Sequence, residues 1–311
     1  MAPTHGNYRA ALSAFLIGVC LSAGMSHGAI EQRSGRGLST RALRTMARAY
    51  MAYGRYDQAR PLAEQAAMEA VFRDADIGEQ AMCLIDLATV YSHKNMLEDA
   101  EALFDKGLSL QKEAIGRQHP YTAHTLRMLS DVYRRQNKLD AAEDALGEAF
   151  SVMLAHTKIQ SREMTPFLIA AAQLAYSAGR FEHALKTYQT AEQMALVSYG
   201  PDHLYTAQVM QGTAQAAMAC GDLDAARDQM AYSLQLQERF FGRDSAMLID
   251  GWLTQARIER ADGAPGKSEV YLQKAIAAAQ LGRNVVTLAR VYEQVNAIRR
   301  DAIYTARAES L

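Results

Sequence analysis

Apolar and polar positions recur along this chain with a period of about 42 residues. Six stretches of helix-like apolar spacing are each interrupted by a short polar segment, such as YGRYDQA at 53–59 and KNMLEDA at 94–100. The second residue of every segment is glycine or asparagine: Gly54, Asn95, Asn137, Gly179, Gly221 and Gly263. Both residue types tolerate the left-handed conformation that ends a helix, so this column predicts a helix C-terminus and a tight turn in each unit.

Small and large residues recur at fixed distances from these turns. A small residue closes each polar segment, and a second column of small residues precedes it by twelve positions, from Ala47 to Ala256. Large apolar residues predominate four positions after the closing residue, as at Phe104, Leu146 and Leu272. Small residues let two antiparallel helices approach closely, while large ones fill the space between neighbouring pairs. The pattern predicts helical hairpins that must stack, because one hairpin cannot bury its apolar face alone.

These columns resemble those of the tetratricopeptide repeat (TPR). Along the six units, the family's tyrosine column reads Tyr50, Tyr91, Tyr133, Ala175, Ala217 and Glu259. Trp252 falls on the tryptophan column, which predicts that it is a core residue. The resemblance implies an all-α fold, a right-handed α-solenoid of about six helical-hairpin repeats over residues 38–283. One more amphipathic stretch, at 284–311, is predicted to be a C-terminal capping helix.

The connections between hairpins resemble the kinesin-light-chain-like variant of this repeat. The segment IGRQHPYTA at 115–123 has a counterpart two periods later, YGPDHLYTA at 199–207. His119 aligns with His203, and a catalytic pair is not expected to recur at the period of the architecture. We therefore expect His119 to cap or pack the joint before the next helix. His124 lies beyond the joint and is predicted to face the ligand groove.

Residues 1–29 have the basic, apolar and small-residue regions of a secretory signal peptide. Their apolar run is shorter than the roughly 20 residues of a membrane-spanning helix, so stable insertion is not expected. The sequence predicts export, most simply to a bacterial periplasm, with residues 30–37 as a disordered lead-in. Two alternatives stay open, namely an uncleaved N-terminal anchor and a lipid attached at Cys20.

The composition of the chain excludes few classes of function. Apolar residues make up 49% of the chain, which is enough for a packed core, and the net charge of −1 gives no reason to expect a nucleic-acid partner. Cys83 and Cys220 lie about three units apart in the repeat register. Both are therefore predicted to be buried thiols rather than the two halves of a disulfide.

The sequence contains no motif with the spacing of a catalytic or metal site. The Walker loop, C-x-x-C and H-E-x-x-H are absent. Acidic residues such as Asp140 and Asp222 lie at the starts of second helices, where they favour the positive end of the helix dipole. Asp86 and Asp131 lie on first helices and are expected to be solvated or paired. We therefore predict no enzyme activity, no cofactor and no metal.

Recognition of a protein or peptide ligand is the leading prediction, since the first helices of a TPR array line a concave groove. The groove residues expected from the register are Arg41, Arg44, Arg48, His124, Arg127, Arg134, Gln173, Gln208, Gln211 and Gln215. In the last three units the same register adds Ile169, Tyr176, Met218, Asp250, Leu253, Arg257 and Arg260.

The residue types in this groove suggest the chemistry of the ligand. Arginine binds carboxylates in a bidentate manner, so the arginines predict an acidic segment or a chain-end carboxylate. The glutamines suit hydrogen bonds to an extended backbone. A structural subunit of an envelope complex, which would use convex or end surfaces, and a regulatory or sensor module remain alternatives to an exported adaptor.

Overall fold

The computed structural model covers most of the predicted repeat region. The described residues are Gly18 and the ranges 38–73, 75–158, 161–281 and 285–308. Apart from Gly18, the predicted signal peptide and lead-in at 1–37 lie outside these ranges. Every regular element within the described ranges is helical, which confirms the predicted all-α class.

The chain divides into two compact units, and the first of them ends at Thr157. Its described part consists of three helical hairpins. Their helices are α1 (Thr40–Ala52), α2 (Tyr56–Phe72), α3 (Ile77–His93), α4 (Leu97–Ile115), α5 (Pro120–Arg135) and α6 (Leu139–His156). Within this unit each helix packs on its hairpin partner, and the second helix of one hairpin packs on the first helix of the next.

The second compact unit contains three more hairpins and a final helix. Its helices are α7 (Thr165–Ser177), α8 (Phe181–Tyr199), α9 (Leu204–Ala219), α10 (Leu223–Phe241), α11 (Ile249–Ala261), α12 (Pro265–Leu281) and α13 (Val285–Ala308). A single 3-10 turn precedes α7 and another precedes α11. The six hairpins and the additional helix agree with the repeat columns of the sequence.

All six residues of the turn column adopt the predicted left-handed conformation. Their φ angles lie between 62° and 86°, with 62° at both Asn95 and Asn137. The residue that follows each turn residue donates its backbone N–H back to the first helix, as Arg55 does to the Tyr50 carbonyl at 2.9 Å. The same bond ends the first helix of every hairpin at the tyrosine column. It reverses the chain within a few residues.

His119 and His203 begin the first helices of the third and fifth hairpins as N-caps. The Nδ1 atom of His119 accepts the backbone N–H of Tyr121 at 3.1 Å, and His203 makes the equivalent bond at the same distance. Thr122 donates its hydroxyl to the Gly116 carbonyl at 3.0 Å, which ties the new helix to the end of the preceding one. The histidine therefore has the capping role that the repeated sequence predicts.

The core of the second unit includes the last helix. Trp252 is 2% exposed, which confirms that it is a core residue. Val291, Val295 and Ile298 of α13 belong to the same apolar cluster and are at most 4% exposed. The last helix therefore covers the apolar end of the sixth hairpin, as a terminal cap must.

Cys83 and Cys220 lie in different environments. Cys83 is buried, and burial raises the pKa of its thiol to about 12. Cys220 is exposed, so the prediction of two buried thiols is wrong for this residue. Cys220 is the C-cap of α9 and directly precedes Gly221, where the chain leaves the helix at the surface. Both thiols are free.

Candidate functional site

The first helices of the second unit's three hairpins line one cavity of about 330 Å³. Gln173 comes from α7, while Gln208, Gln211 and Gln215 follow one another along one side of α9. The structure thus places all four glutamines of the predicted groove around one cavity, which we call the glutamine cavity. Its other lining residues are Ile169, Tyr188, Gly212, Asp250, Leu253, Thr254, Arg257 and Gln294.

The four glutamines differ in how far the protein already satisfies their amides. Gln215 donates to the Thr254 hydroxyl at 3.1 Å, and Gln211 accepts from Gln237 at 3.1 Å. The side chains of Gln173 and Gln208 make no hydrogen bond within the described part of the chain. A ligand can therefore bond to these two amides without breaking a bond inside the protein.

Tyr188 and Gly212 form a close contact in the wall of the cavity. Tyr188 is 4% exposed. A Cβ atom added at Gly212 would lie 2.6 Å from Tyr188 Cζ, closer than any real contact of this kind. The glycine thus allows the ring of α8 to lie against the backbone of α9. The register did not predict either residue for the groove, because Tyr188 belongs to a second helix and glycine carries no side chain.

The cavity combines amides, apolar side chains and one charge of each sign. Asp250 and Arg257 lie on the exposed side of α11, and the register places both in the groove. Leu253, which the register also places there, is only 1% exposed and belongs mainly to the core. These groups can hydrogen-bond and pair with charges of a ligand, and they can bury apolar atoms beside them.

The arginine face of the first unit already contains a carboxylate. Asp86 of α3 accepts from Arg44 Nε at 2.9 Å and from Arg48 Nε at 3.0 Å, and its own side chain is 7% exposed. The Arg44 side chain is 11% exposed, whereas that of Arg48 is 58% exposed. Arg41 is exposed on the same helix. Asp86 therefore links the first hairpin to the second and neutralises part of the predicted arginine stripe.

The remaining predicted groove residues of the first unit lie on α5. Arg134 pairs with Asp131 one turn earlier on the same helix, with 2.6 Å between Nη2 and Oδ1. His124 and Arg127 are half-buried, and each interacts with other residues of the chain. The field of this face is therefore weaker than its arginines alone would produce, because Asp86 and Asp131 lie among them.

The described ranges give little support for a metal site, a reactive thiol or a membrane-spanning helix. They contain no group of three or more His, Cys, Asp and Glu side chains that could hold a metal ion. The Cys83 thiol, beside the Arg44–Asp86 pair, has its pKa raised to about 12 by burial, so it is a poor nucleophile at neutral pH. In the same ranges, no helix is long and apolar enough to cross a bilayer.

Solved structures with the same fold share little sequence with this chain. NprR in complex with its cognate peptide NprX is 14% identical, with a TM-score of 0.64 over 88% of this chain and 77% of that chain. BtubC (BKLC) from P. vanneervenii is 17% identical, with a TM-score of 0.54 over 80% and 94%. Aspartyl phosphate phosphatase F from Bacillus subtilis is 12% identical, with a TM-score of 0.56 over 98% and 84%. At such identities the likeness concerns the fold alone.

Sequence comparison identifies the family. No curated protein matches the chain. The profile of the family described as MalT-like TPR region matches residues 31–198, which is more than half of the chain. The turns at Gly221 and Gly263, beyond the matched residues, keep the same positive φ as the earlier ones. This chain belongs to the family of MalT-like TPR regions.

Proposed function

We propose that this chain is a non-enzymatic TPR adaptor that holds an extended peptide segment of another protein in the glutamine cavity. The observation that carries the proposal is the convergence of four glutamines, two of which, Gln173 and Gln208, bond to no described protein group. The NprR structure, which has the same fold and contains a peptide, supports the choice of a peptide as ligand.

Glutamine suits the recognition of a peptide backbone. An extended peptide presents carbonyl and N–H groups at regular intervals, and each glutamine amide offers an acceptor oxygen and a donor nitrogen. Gln208, Gln211 and Gln215 are separated by about one helical turn each, roughly 5 Å along the axis, so their amides can bond to successive parts of one strand. The volume of 330 Å³ also lies in the range of about 300–1,000 Å³ that is typical of ligand pockets.

The second part of the proposal concerns the first unit by itself: its arginines bind an acidic peptide segment, independently of the glutamine cavity. Arg48 uses only Nε in its bonds to Asp86, and Arg41 is exposed. Replacing Arg41 and Arg48 together with alanine is expected to weaken binding of a peptide with an acidic tail, measured by fluorescence anisotropy at low salt. The same peptide with a neutral tail serves as the control, and equal losses for both would refute this contact.

Export is the third part of the proposal and rests on residues 1–29 alone. Cleavage of a signal peptide would give a mature chain that begins near residue 30 and is found in the periplasmic fraction of a bacterial host. N-terminal sequencing of the fractionated protein tests this expectation. An intact N-terminus in the membrane fraction would instead favour the anchored alternatives.

The central test is a selection of peptides on the purified chain. A phage-displayed library of random peptides is panned against the wild-type protein, and enriched peptides are synthesised with a fluorescent label. Replacing Gln208 and Gln211 with alanine is expected to weaken their binding about tenfold or more, because two hydrogen-bonding amides are lost. The matched control is Gln235→Ala, an exposed glutamine on α10.

Two results would contradict the proposed function. One is the absence of any enriched peptide that binds the folded chain. The other is equal affinity of enriched peptides for the wild type and for the Gln208→Ala/Gln211→Ala variant. Circular dichroism spectra of each variant show whether a loss of binding reflects a loss of fold.

A further inference from the structure

One buried carboxylate lacks the counter-charge that the others have. The described residues include five buried acidic side chains, namely Glu64, Glu69, Asp86, Glu192 and Glu259. An arginine nitrogen lies 2.5–3.7 Å from a carboxylate oxygen in four of them. Glu192 of α8 is the exception, because it has no arginine or lysine partner within the described ranges. A buried carboxylate without a counter-charge is costly.

The repeat register shows that this acid is a departure from the pattern. The residues in the Glu192 column of the other five units are all apolar: Ala67, Leu108, Phe150, Leu234 and Ile276. Four of these five residues are buried, and Phe150 is half-buried. Glu192 is therefore the one polar side chain in a largely buried apolar column, and packing alone does not account for its presence.

Glu192 lines a cavity that two further departures leave open. The cavity has a volume of about 410 Å³, and its lining includes Ala217 and Leu185. At the contact between the first and second hairpins, the same two columns hold Arg60 of α2, which pairs with the buried Glu64 at 2.7 Å, and Tyr91 of α3, which is fully buried. Compared with that contact, Ala217 replaces a ring and Leu185 replaces a cation; in the other five units the Leu185 column holds arginine twice and glutamate three times. The resulting space lies beside the unpaired carboxylate.

The polar groups around the carboxylate are arranged to receive a donor. Thr213 donates its hydroxyl to Glu192 Oε2 at 2.8 Å, and Gln229 donates to Glu192 Oε1 at 3.1 Å. Both donors are neutral. The Gln229 Oε1 atom is itself buried and accepts no hydrogen bond. A second carboxylate, that of Asp222, also lines the cavity.

We propose that this cavity binds an alkylammonium or guanidinium group, whose N–H donors bond to the Glu192 carboxylate and to Gln229 Oε1. Such a group supplies the missing counter-charge, and charge-assisted hydrogen bonds of this kind are the strong ones. The apolar side chains of Leu185 and Ala217 contact its aliphatic part. The cavity shares no lining residue with the glutamine cavity, so the inference does not depend on the proposed peptide site.

Two sources offer this chemistry: a lysine or arginine side chain of a polypeptide, and a free amine. Isothermal titration of the full chain compares the peptides Gly-Gly-Arg-Gly-Gly and Gly-Gly-Lys-Gly-Gly with agmatine and n-butylammonium. Saturable binding of either source supports the site. Tighter binding of the peptides than of the free cations identifies a polypeptide as the source. The neutral peptide Gly-Gly-Gln-Gly-Gly is expected not to bind.

Three variants distinguish the effect of the Glu192 charge on binding from a loss of the fold. In Glu192→Gln, which keeps the shape of the side chain, the dissociation constant of the cationic probes is expected to rise about 10- to 100-fold. Glu192→Leu restores the residue type of the other units, and we expect it to lose binding while its Tm equals or exceeds that of the wild type. Glu182→Gln changes an exposed acid on the same helix and leaves binding unchanged.

Three results would overturn the proposal. The first is equal binding of the cationic and neutral peptides. The second is unchanged affinity in Glu192→Gln. The third is a Glu192-dependent rise in Tm with potassium chloride alone, which would assign the site to a metal ion. None of these results bears on the Gln208→Ala/Gln211→Ala test, so the two proposals fail separately.

Discussion

Asn95 and Asn137 replace glycine in the turn column and yet keep its positive φ of 62°. Asparagine reaches the left-handed region at a lower cost than other residues with a Cβ atom, because its short amide bonds to the local backbone. All six turns could therefore be predicted from sequence alone. The requirement is local, and only two residue types meet it well.

Position 137 offers a direct test of this requirement. Asn137→Ala is expected to lower the free energy of unfolding by about 1 kcal/mol, because alanine is strained at positive φ. Asn137→Gly is expected to be neutral or slightly stabilising. Urea unfolding followed by far-ultraviolet circular dichroism measures both variants. Equal stability of the alanine and glycine variants would show that the turn does not need the left-handed conformation.

Two helical glycines are expected to respond to the same substitution with opposite signs. Gly212→Ala places a methyl group against the buried Tyr188 ring and should destabilise the protein by about 1–3 kcal/mol. Gly147→Ala, in the middle of α6, meets no atom within 4 Å and should stabilise it by about 0.5–1 kcal/mol. Thermal unfolding of the two variants checks the prediction. Similar stabilities would contradict the close contact beneath the glutamine cavity.

Ion pairing marks the limit of what the sequence can predict at this scale. Arg44 and Arg48 lie on the groove side of α1 in the register, and the sequence predicts them as ligand contacts. The register does not reveal that Asp86, about one repeat later, lies within 3.0 Å of both Nε atoms. Such pairs depend on side-chain conformations at the contact of two hairpins, and a column of residue types does not contain that information.

At the scale of elements, α13 shows how the array is closed. Its apolar face joins the cluster around Trp252, and Arg299 bonds to Glu269 of α12, with 3.2 Å between Nε and Oε2. The amphipathic spacing at 284–311 was sufficient to predict a cap. The ion pair that ties the cap to α12 was not predicted, because Arg299 lies beyond the repeats and Glu269 belongs to a column that holds both arginine and glutamate.

This ion pair predicts a dependence of stability on pH. Hydrogen bonds from Arg299 and then Gln273 lower the pKa of Glu269 below its ordinary value of 4.5. The pair therefore stabilises the fold above that pH, and its contribution is lost as the pH falls through the lowered pKa. Fluorescence of Trp252, the only tryptophan of the chain, reports the unfolding midpoint of this unit.

Glu269→Gln and Glu293→Gln are expected to differ in how their unfolding midpoint depends on pH. Glu269→Gln should lower the unfolding midpoint at pH 7 and should weaken its dependence on pH below about 4.5, since one titrating group is removed. Glu293→Gln, an exposed acid on α13, is the control and should follow the wild type. Parallel pH curves for the wild type and Glu269→Gln would contradict the role of the pair.

At the scale of the whole molecule, the period of the sequence predicts the architecture more reliably than it predicts the sites. The family profile ends at residue 198, but the turn column continues to Gly263 and so do the hairpins. Eight residues that the register places in the groove do line the glutamine cavity. The cavity itself needs Gly212 and Tyr188, and the second cavity needs an alanine in place of a tyrosine. These are departures from the repeat, which become informative only when the packing is known.

The most direct test of the account is to locate a bound peptide. A photo-crosslinking residue replaces Arg257, which is exposed and lines the glutamine cavity, and in a second protein it replaces Gln235 on α10. A labelled peptide from the selection is added, and adducts are identified by mass spectrometry. The account predicts an adduct at position 257 that unlabelled peptide competes away, and little at position 235. A peptide that binds but reacts equally at both positions, or only at 235, would contradict it.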